Sequence, residues 1–298
     1  MMLRNMIILT SVVAAMIPVA SPAQAVSNSA PPVFVPPSES QIPVDGFGEM
    51  VRKGRDIFIN TQANAREYVG NGLNCVNCHL DAGRRADSGP LWGAWGMYPA
   101  YRSKNERVNN FAERLQGCFE FSMNGKIPLA DSDVILALST YAYWMARGAP
   151  VGIRLPGAGY AKQDYEPPKP PDHERGKKIY EHSCALCHGT NGEGQKVAGI
   201  YVFPPLWGPE SFNWGAGMAR LQDAAAFIKV NMPLGLGGTL DDQDAWDIAL
   251  YMNSHERPQD PRFTGDLDET RDKYHDGKWS LYGRKINGHL LGGPASAY

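Results

Sequence analysis

The sequence predicts a mainly α-helical protein made of two similar domains in tandem, and three observations lead to this fold class. First, the chain contains two Cys-x-x-Cys-His motifs, at residues 75–79 and 184–188. Second, the same short patterns accompany each motif in the same order. Third, each half closes with a segment whose apolar residues recur at helical spacing. Together these features are typical of a duplicated helical unit.

Each Cys-x-x-Cys-His motif is typical of a c-type haem attachment site. The two thiols of a motif become thioethers on the porphyrin, and the adjacent histidine coordinates the iron from the proximal side. His79 and His188 are therefore the predicted proximal ligands. The attachment residues are Cys75, Cys78, Cys184 and Cys187. We expect two tandem cytochrome c-like domains, each enclosing one of two covalently bound haem c groups.

The N-terminus has the features of a secretory signal peptide. Arg4 precedes an apolar core at residues 6–19, and Ala23-Gln24-Ala25 forms an A-x-A cleavage site. This core is shorter than the roughly 20 residues that a spanning helix needs, so no stable membrane span is expected; an uncleaved anchor is the alternative. Because haem is attached to c-type cytochromes after export, we predict a periplasmic protein.

Two proline-rich segments separate the predicted parts of the chain. The resulting organisation is a signal peptide at 1–25, a leader at 26–44, an N-terminal cytochrome c domain at 45–154, a linker at 155–172, a C-terminal cytochrome c domain at 173–263 and an extension at 264–298. For the extension, packing, partner docking and disorder are all open. A net charge of −2 and the lack of basic runs interleaved with aromatics argue against nucleic-acid binding.

The two halves share landmarks besides the haem motifs. Gly54 and Gly176 each begin a Gly-x-x-Ile-aromatic pattern on a predicted helix, where a glycine allows another helix to approach closely. Pro-Leu-Trp-Gly follows each motif, at residues 90–93 and 205–208. The closing helices carry apolar stripes that would also suit ordinary core helices. The stripes are Leu138, Tyr141, Ala142 and Met145 in the first half and Ala245, Ile248, Ala249 and Met252 in the second.

The distal ligands follow from the alignment of the two halves. Met232 stands in a Pro- and Gly-bearing loop before the second closing helix and is the predicted ligand of haem 2, although a methionine can also simply fill space. It lies 25 positions after Trp207, and the fifth cysteine, Cys118, lies 26 positions after Trp92. Cys118 is therefore the predicted distal ligand of haem 1. A buried, inert thiol is the alternative.

A thiolate ligand would hold haem 1 at a lower potential than haem 2. Electron transfer alone does not require such a ligand. A cysteine that can leave the iron is, however, a soft nucleophile beside an electron acceptor, an arrangement that suits sulfur substrates.

Longer runs around these residues resemble the dihaem thiosulfate dehydrogenases. The matching runs are residues 67–72, 78–84, 98–102, 116–125, 203–208, 231–233 and 257–263. The resemblance implies that two thiosulfates are joined to tetrathionate, or that tetrathionate is reduced in the reverse direction. It also implies a small periplasmic electron acceptor or donor, such as a cytochrome c. In some relatives a lysine competes with the methionine on haem 2, and Lys196 and Lys229 are candidates for that role.

Joining two thiosulfate dianions requires cations and hydrogen-bond donors, because the substrates repel each other. The candidate cations near the haem 1 ligands are Arg84, Arg102, Lys104, Arg107 and Arg114. From the family motif we favour Arg102 and then Ser122, with Asn124 as a further donor. For most of the cations, a solvated surface charge or a haem-propionate partner is the competing interpretation. The resemblance also implies that the position of Phe121 varies within the family, and relatives with arginine there have one anion contact more.

Two other functions are compatible with the same motifs. A non-enzymatic dihaem electron carrier would have the same duplicated fold, and only the position of Cys118 argues against it. A sulfur-carrier subunit, in which a thiolate-ligated haem works with a partner protein, is the second.

Overall fold

Two pairs of crossing helices organise the fold in a computed structural model that describes residues 33–161 and 166–293. The predicted signal peptide at 1–25 lies outside the described residues. The helices are α1 (Gly46–Ile59), α2 (Thr61–Asn64), α3 (Leu80–Gly83), α4 (Leu91–Trp95), α5 (Phe111–Gly117), α6 (Asp133–Met145), α7 (His173–Ser183), α8 (Ala185–His188), α9 (Leu221–Asn231), α10 (Asp242–Asn253) and α11 (Leu267–Tyr274).

The remaining regular elements are short. A π-helical turn covers Cys118–Ser122, and 3-10 turns cover Glu39–Gln41, Arg66–Tyr68, Cys75–Asn77 and Gly217–Ala219. Three antiparallel hairpins complete the described chain: β1 (Ala100–Arg102) with β2 (Arg107–Asn109), β3 (Gln195–Val197) with β4 (Ile200–Phe203), and β5 (Lys285–Ile286) with β6 (His289–Leu290). The mainly α-helical fold class predicted from the sequence is confirmed.

Helix α1 crosses α6, and α7 crosses α10 in the same way. The crossings depend on the two glycines that the sequence singles out. A Cβ atom on Gly54 would lie 2.0 Å from the Ala137 carbonyl oxygen, and one on Gly176 would lie 2.0 Å from that of Asp247. Backbone therefore meets backbone at both crossings, which confirms the predicted reason for these glycines.

The apolar stripes of both closing helices form the core of their domains. Every predicted member of the two stripes is buried, and Tyr141, Ala142, Ala245 and Ala249 are fully buried. Ser132 caps α6 by accepting a hydrogen bond from the Ile135 amide at 3.4 Å. The stripes turn one face of each closing helix towards the crossing partner and the haem motif.

The described part of the extension, residues 264–293, packs against the C-terminal domain. The Leu221 amide donates to the Trp279 carbonyl at 3.0 Å, and Tyr282 is fully buried. The His275 ring stacks on Tyr282 with centroids 4.2 Å apart. The sequence left packing, partner docking and disorder open for the extension, and its described part packs against the C-terminal domain.

The two haem domains meet through direct hydrogen bonds. The Asn71 side-chain amide donates to the Ser122 carbonyl at 2.8 Å and to the Ser211 carbonyl at 3.1 Å. From the other side, the Asn213 amide donates to the Glu120 carbonyl at 2.9 Å. These bonds tie the turn that carries Cys118 to the second domain.

No helix among the described residues is long and apolar enough to cross a membrane.

Candidate active site

Two cavities lie beside the two Cys-x-x-Cys-His motifs. The first has a volume of about 380 Å³, and the second has a volume of about 490 Å³. The first is lined by its motif and the predicted distal ligand: Cys75, Cys78, His79 and Cys118. The second is lined by the corresponding set: Cys184, Cys187, His188 and Met232. The structure thus gathers each predicted ligand set around one cavity.

Both proximal histidines are oriented in the way that a haem ligand requires. His79 Nδ1 donates to the Gly89 carbonyl at 2.6 Å, and His188 Nδ1 donates to the Pro204 carbonyl at 2.9 Å. This bond leaves Nε2 as the nitrogen available to iron. Burial lowers the pKa of His79 to about 4 and also lowers that of His188, so both rings are neutral, as metal ligation requires. The residues present therefore fit two c-type haems.

Cys118 begins the π-helical turn that continues α5. The Met123 amide donates to the Cys118 carbonyl at 2.9 Å, five residues apart instead of the four of an α-helix. Single π-turns of this kind occur frequently at functional sites. The turn places Cys118 and Ser122 on the wall of the same cavity.

Arg114 is the cation that contacts the predicted distal ligand. It lies one helical turn before Cys118, and its guanidinium donates to the Cys118 sulfur at 3.2 Å. The charge of Cys118 is the main cause that raises the pKa of Arg114. The sequence named Arg114 among five candidate cations but favoured Arg102.

The other predicted anion contacts divide into two groups. Arg102 and Ser122 line the first cavity. Asn124 is not among the lining residues, and its side-chain oxygen accepts a hydrogen bond from Asn213 at 3.0 Å. The remaining cations have partners elsewhere: Arg84 donates to the Pro37 carbonyl, Arg107 pairs with Glu113, and the Lys104 ammonium lies over the Phe121 ring.

Among the described residues, two further arginines line the first cavity, and neither was among the cations considered from the sequence. Arg154 is the last residue of the predicted N-terminal domain, and Arg220 comes from the start of α9 in the second domain. The linker segment also pairs with the chain beside His79, because the Gly89 amide donates to the Gly159 carbonyl at 2.8 Å. Only the packing of distant segments brings these side chains to haem 1.

Met232 directly follows α9, whose end directs it to the second cavity. The two lysines considered as its competitors lie elsewhere. Lys229 pairs with Asp242 at 3.3 Å, and the Lys196 ammonium lies 4.3 Å from the centre of the Tyr201 ring. Neither is among the residues that line this cavity.

The two cavities adjoin each other. The residues that line both are Leu73, Cys78, Phe212 and Met218. A single layer of side chains therefore separates the two cavities. This arrangement suits a two-haem relay.

Known proteins resemble the chain in both halves. A family model described as SoxA/TsdA, cytochrome c domain, matches residues 62–151, and one described as cytochrome c oxidase, cbb3-type, subunit III matches residues 171–252. The thiosulfate dehydrogenase of Stutzerimonas stutzeri is 59% identical over 265 residues, which cover 87% of this chain and 85% of that protein. That of Thiomonas intermedia is 57% identical over 259 residues, covering 87% of this chain and 82% of the relative.

A solved structure shows the same likeness in three dimensions. Thiosulfate dehydrogenase (TsdBA) from Marichromatium purpuratum superposes with a TM-score of 0.83 at 48% sequence identity. The match covers 87% of this chain and 57% of that longer chain.

Proposed function

The chain belongs to the thiosulfate dehydrogenase family, whose fold carries two covalently bound haem c groups, and we propose that it couples two thiosulfates to tetrathionate in the periplasm. The observation that carries this proposal is the hydrogen bond from Arg114 to Cys118 inside the cavity of haem 1. An electron carrier has no need of a thiol activated by an arginine. A thiol in that setting is a nucleophile for sulfur.

The proposed ligand sets differ between the haems. His79 and Cys118 bind the iron of haem 1, and His188 and Met232 bind that of haem 2. A thiolate donates electron density and lowers the potential, whereas a thioether raises it. Electrons would then run downhill from the active-site haem to the relay haem, which the adjoining cavities support.

The haems supply the electron acceptor, and the protein side chains supply the sulfur chemistry. The Cys118 thiolate and the outer sulfur of one thiosulfate form an S–S bond, and this step releases two electrons. The outer sulfur of a second thiosulfate then attacks the sulfur bound to Cys118, so tetrathionate forms and the thiolate returns. No proton is taken up or released in either step. The site therefore needs positive charge and hydrogen-bond donors instead of a general acid.

The arginines of the first cavity meet this need. Two like charges at 4 Å repel by about 4 kcal/mol at an effective dielectric constant of 20. Arg102 and Arg114 would offset this repulsion, and the Ser122 hydroxyl would donate to a sulfonate oxygen; the lining of the first cavity by all three residues supports these roles. A substrate contact by Asn124 stays a prediction, with its side-chain oxygen bonded to Asn213.

The electron exit is proposed at haem 2, towards a small periplasmic acceptor such as a cytochrome c. Tetrathionate reduction is the same chemistry in reverse, with the same residues in the same roles. Comparison of initial rates with thiosulfate and with tetrathionate decides the preferred direction.

The test is to mix the purified full-length holoprotein with thiosulfate and an artificial electron acceptor, and to assay tetrathionate. The wild type forms tetrathionate, with one molecule formed for every two electrons accepted. Cys118→Met retains both haems and loses this activity. A wild type that exchanges electrons with cytochromes but forms no tetrathionate would identify a carrier. Undiminished turnover by Cys118→Met would reject the role of the thiol.

A further inference from the structure

Each cavity takes charged side chains from the domain that does not carry its haem. Among the described residues that line the second cavity, only Asp81 and Arg85 carry a formal charge. Both belong to the N-terminal domain and follow the first haem motif directly. The one cation that the described part of the chain places beside the second haem motif is therefore supplied across the domain interface.

The first cavity also takes charged side chains from the other domain, in addition to Arg102, Arg114 and Arg154 of its own domain. Arg220 and Asp223 line it, and both lie in the C-terminal domain at the start of α9. Arg220 is held in place twice: its backbone bridges to Ser280, and its guanidinium Nε donates to Asp223 at 2.9 Å. The segment that precedes α9 is thus fixed by the C-terminal extension. Arg220 lines the cavity of the other domain with its side chain 64% exposed and with both Nε and Nη2 donating to Asp223.

The residues that line the cavities indicate which chemical group Arg85 and Arg220 bind. A haem is apolar except at its two propionates, and a carboxylate in an apolar cavity is costly without a cation. The guanidinium group matches a carboxylate with two parallel hydrogen bonds, which a point charge cannot do. Arg85 has no anionic substrate to bind in the second cavity, where the proposed function assigns only electron relay.

We propose that Arg85 binds a propionate of haem 2 and that Arg220 binds a propionate of haem 1. Each haem is then attached covalently to one domain and neutralised by the other. The domain interface becomes part of both cofactor sites, and each reduction potential depends on a residue of the neighbouring domain. A cation next to a propionate disfavours the ferric state, so its removal lowers the potential of that haem.

The experiment measures both midpoint potentials in the full-length holoprotein by optical and paramagnetic-resonance redox titration. Arg85→Gln lowers the potential of haem 2 and leaves haem 1 unchanged, whereas Arg220→Gln does the opposite. We expect about a tenfold shift in the oxidation equilibrium, which is 59 mV for one electron. Arg85→Lys and Arg220→Lys keep most of the wild-type potential, because lysine retains the positive charge. Arg271→Gln, a half-buried control on α11 that is paired with Asp268 and lines neither cavity, changes neither potential.

The crossed pattern separates this proposal from its competitors. Unchanged potentials in both Gln variants, or a shift confined to the haem of the mutated domain, would overturn it. For Arg220, a raised KM for thiosulfate at an unchanged haem 1 potential would identify a substrate contact and reject the propionate assignment. If a Gln variant loses haem, the potentials of the Lys variant decide: a wild-type value at the opposite haem supports the proposal, and a shift at the haem of its own domain contradicts it. The absence of tetrathionate formation would reject the proposed function without affecting these potentials.

Discussion

The Arg114 guanidinium donates to the Cys118 sulfur at 3.2 Å, and the two residues sit one turn apart where α5 passes into a π-helix. The geometry is local, since both side chains project from one continuous helical stretch. The charge stays beside the sulfur whether or not the sulfur is bound to iron. The Arg114 cation therefore lies beside the sulfur that the proposed reaction uses, where it also attracts an anionic substrate.

Replacing Arg114 tests this relationship. Arg114→Gln removes a charge-assisted hydrogen bond of about 1.5–3 kcal/mol, so kcat/KM for thiosulfate should fall by about 10- to 100-fold. Steady-state kinetics on the holoprotein measure the change. Arg147→Gln, at an exposed site after α6, is the control and should leave kcat/KM unchanged. A wild-type kcat/KM in Arg114→Gln would show that the contact has no part in turnover.

The second prediction concerns the ligand of haem 2. Met232→Ala removes the thioether, so the reduction potential of haem 2 falls and its low-spin spectrum changes. The potential and the spectrum of haem 1 stay the same. Spectroelectrochemistry with both haems resolved is the measurement. Met145→Leu is the matched control, because Met145 is fully buried in α6 and lines neither cavity. If the haem 2 spectrum survives in Met232→Ala, another residue must occupy the distal position.

The features that could be predicted from sequence are those set by covalent chemistry or by local periodicity. Short sequence patterns that occur in both halves predict the haem motifs, the closing helices and the two helix crossings at glycines. The position of Cys118 on the cavity wall also follows, because a loop of matched length from Trp92 leads to the same place in each half. These features depend on neighbours in the chain, which a sequence displays directly.

Contacts between distant segments could not be predicted in this way. Arg85 and Arg220 reach the opposite haem cavities only because the domains dock, and no local pattern records the docking. Tyr160, in the segment predicted as a linker, likewise lines the cavity of haem 1. Asn124 stands close to Cys118 in sequence, but its positive φ of 45° turns the chain, and its side chain meets Asn213. Proximity in sequence was a poor guide at that point.

The third prediction tests the helix crossings. Gly54→Ala places a methyl group 2.0 Å from the Ala137 carbonyl oxygen, so α1 and α6 must separate. Overpacking of this kind costs about 1–3 kcal/mol, and calorimetry of the holoprotein should show a lower Tm. Gly46→Ala is the control on the same helix, where a Cβ meets nothing within 4 Å. Equal Tm values for the two variants would contradict the close approach.

The last prediction concerns the buried carboxylate that joins the extension to the C-terminal domain. Asp260 is fully buried, and it accepts hydrogen bonds from Arg262 at 2.6 Å and His275 at 2.8 Å. Burial alone would raise the pKa of Asp260, but these bonds outweigh it and hold the pKa well below its usual range. The ionised group therefore stabilises the fold above about pH 3.9, its pKa in the unfolded chain, and this contribution is lost as the pH falls towards the lower folded value.

Asp260→Asn should accordingly lower the free energy of unfolding at pH 7 by about 3–5 kcal/mol, because it leaves the largely buried Arg262 guanidinium without its carboxylate. The difference from wild type should narrow as the pH falls below about 4, where wild-type Asp260 begins to lose its stabilising charge. Denaturant unfolding of the holoprotein between pH 7 and pH 3 measures both effects. Asp268→Asn is the matched control, since its side chain is 76% exposed and its pair with Arg271 is worth little. A difference between Asp260→Asn and wild type that stays constant over this range would mean that ionisation of Asp260 does not carry the stability.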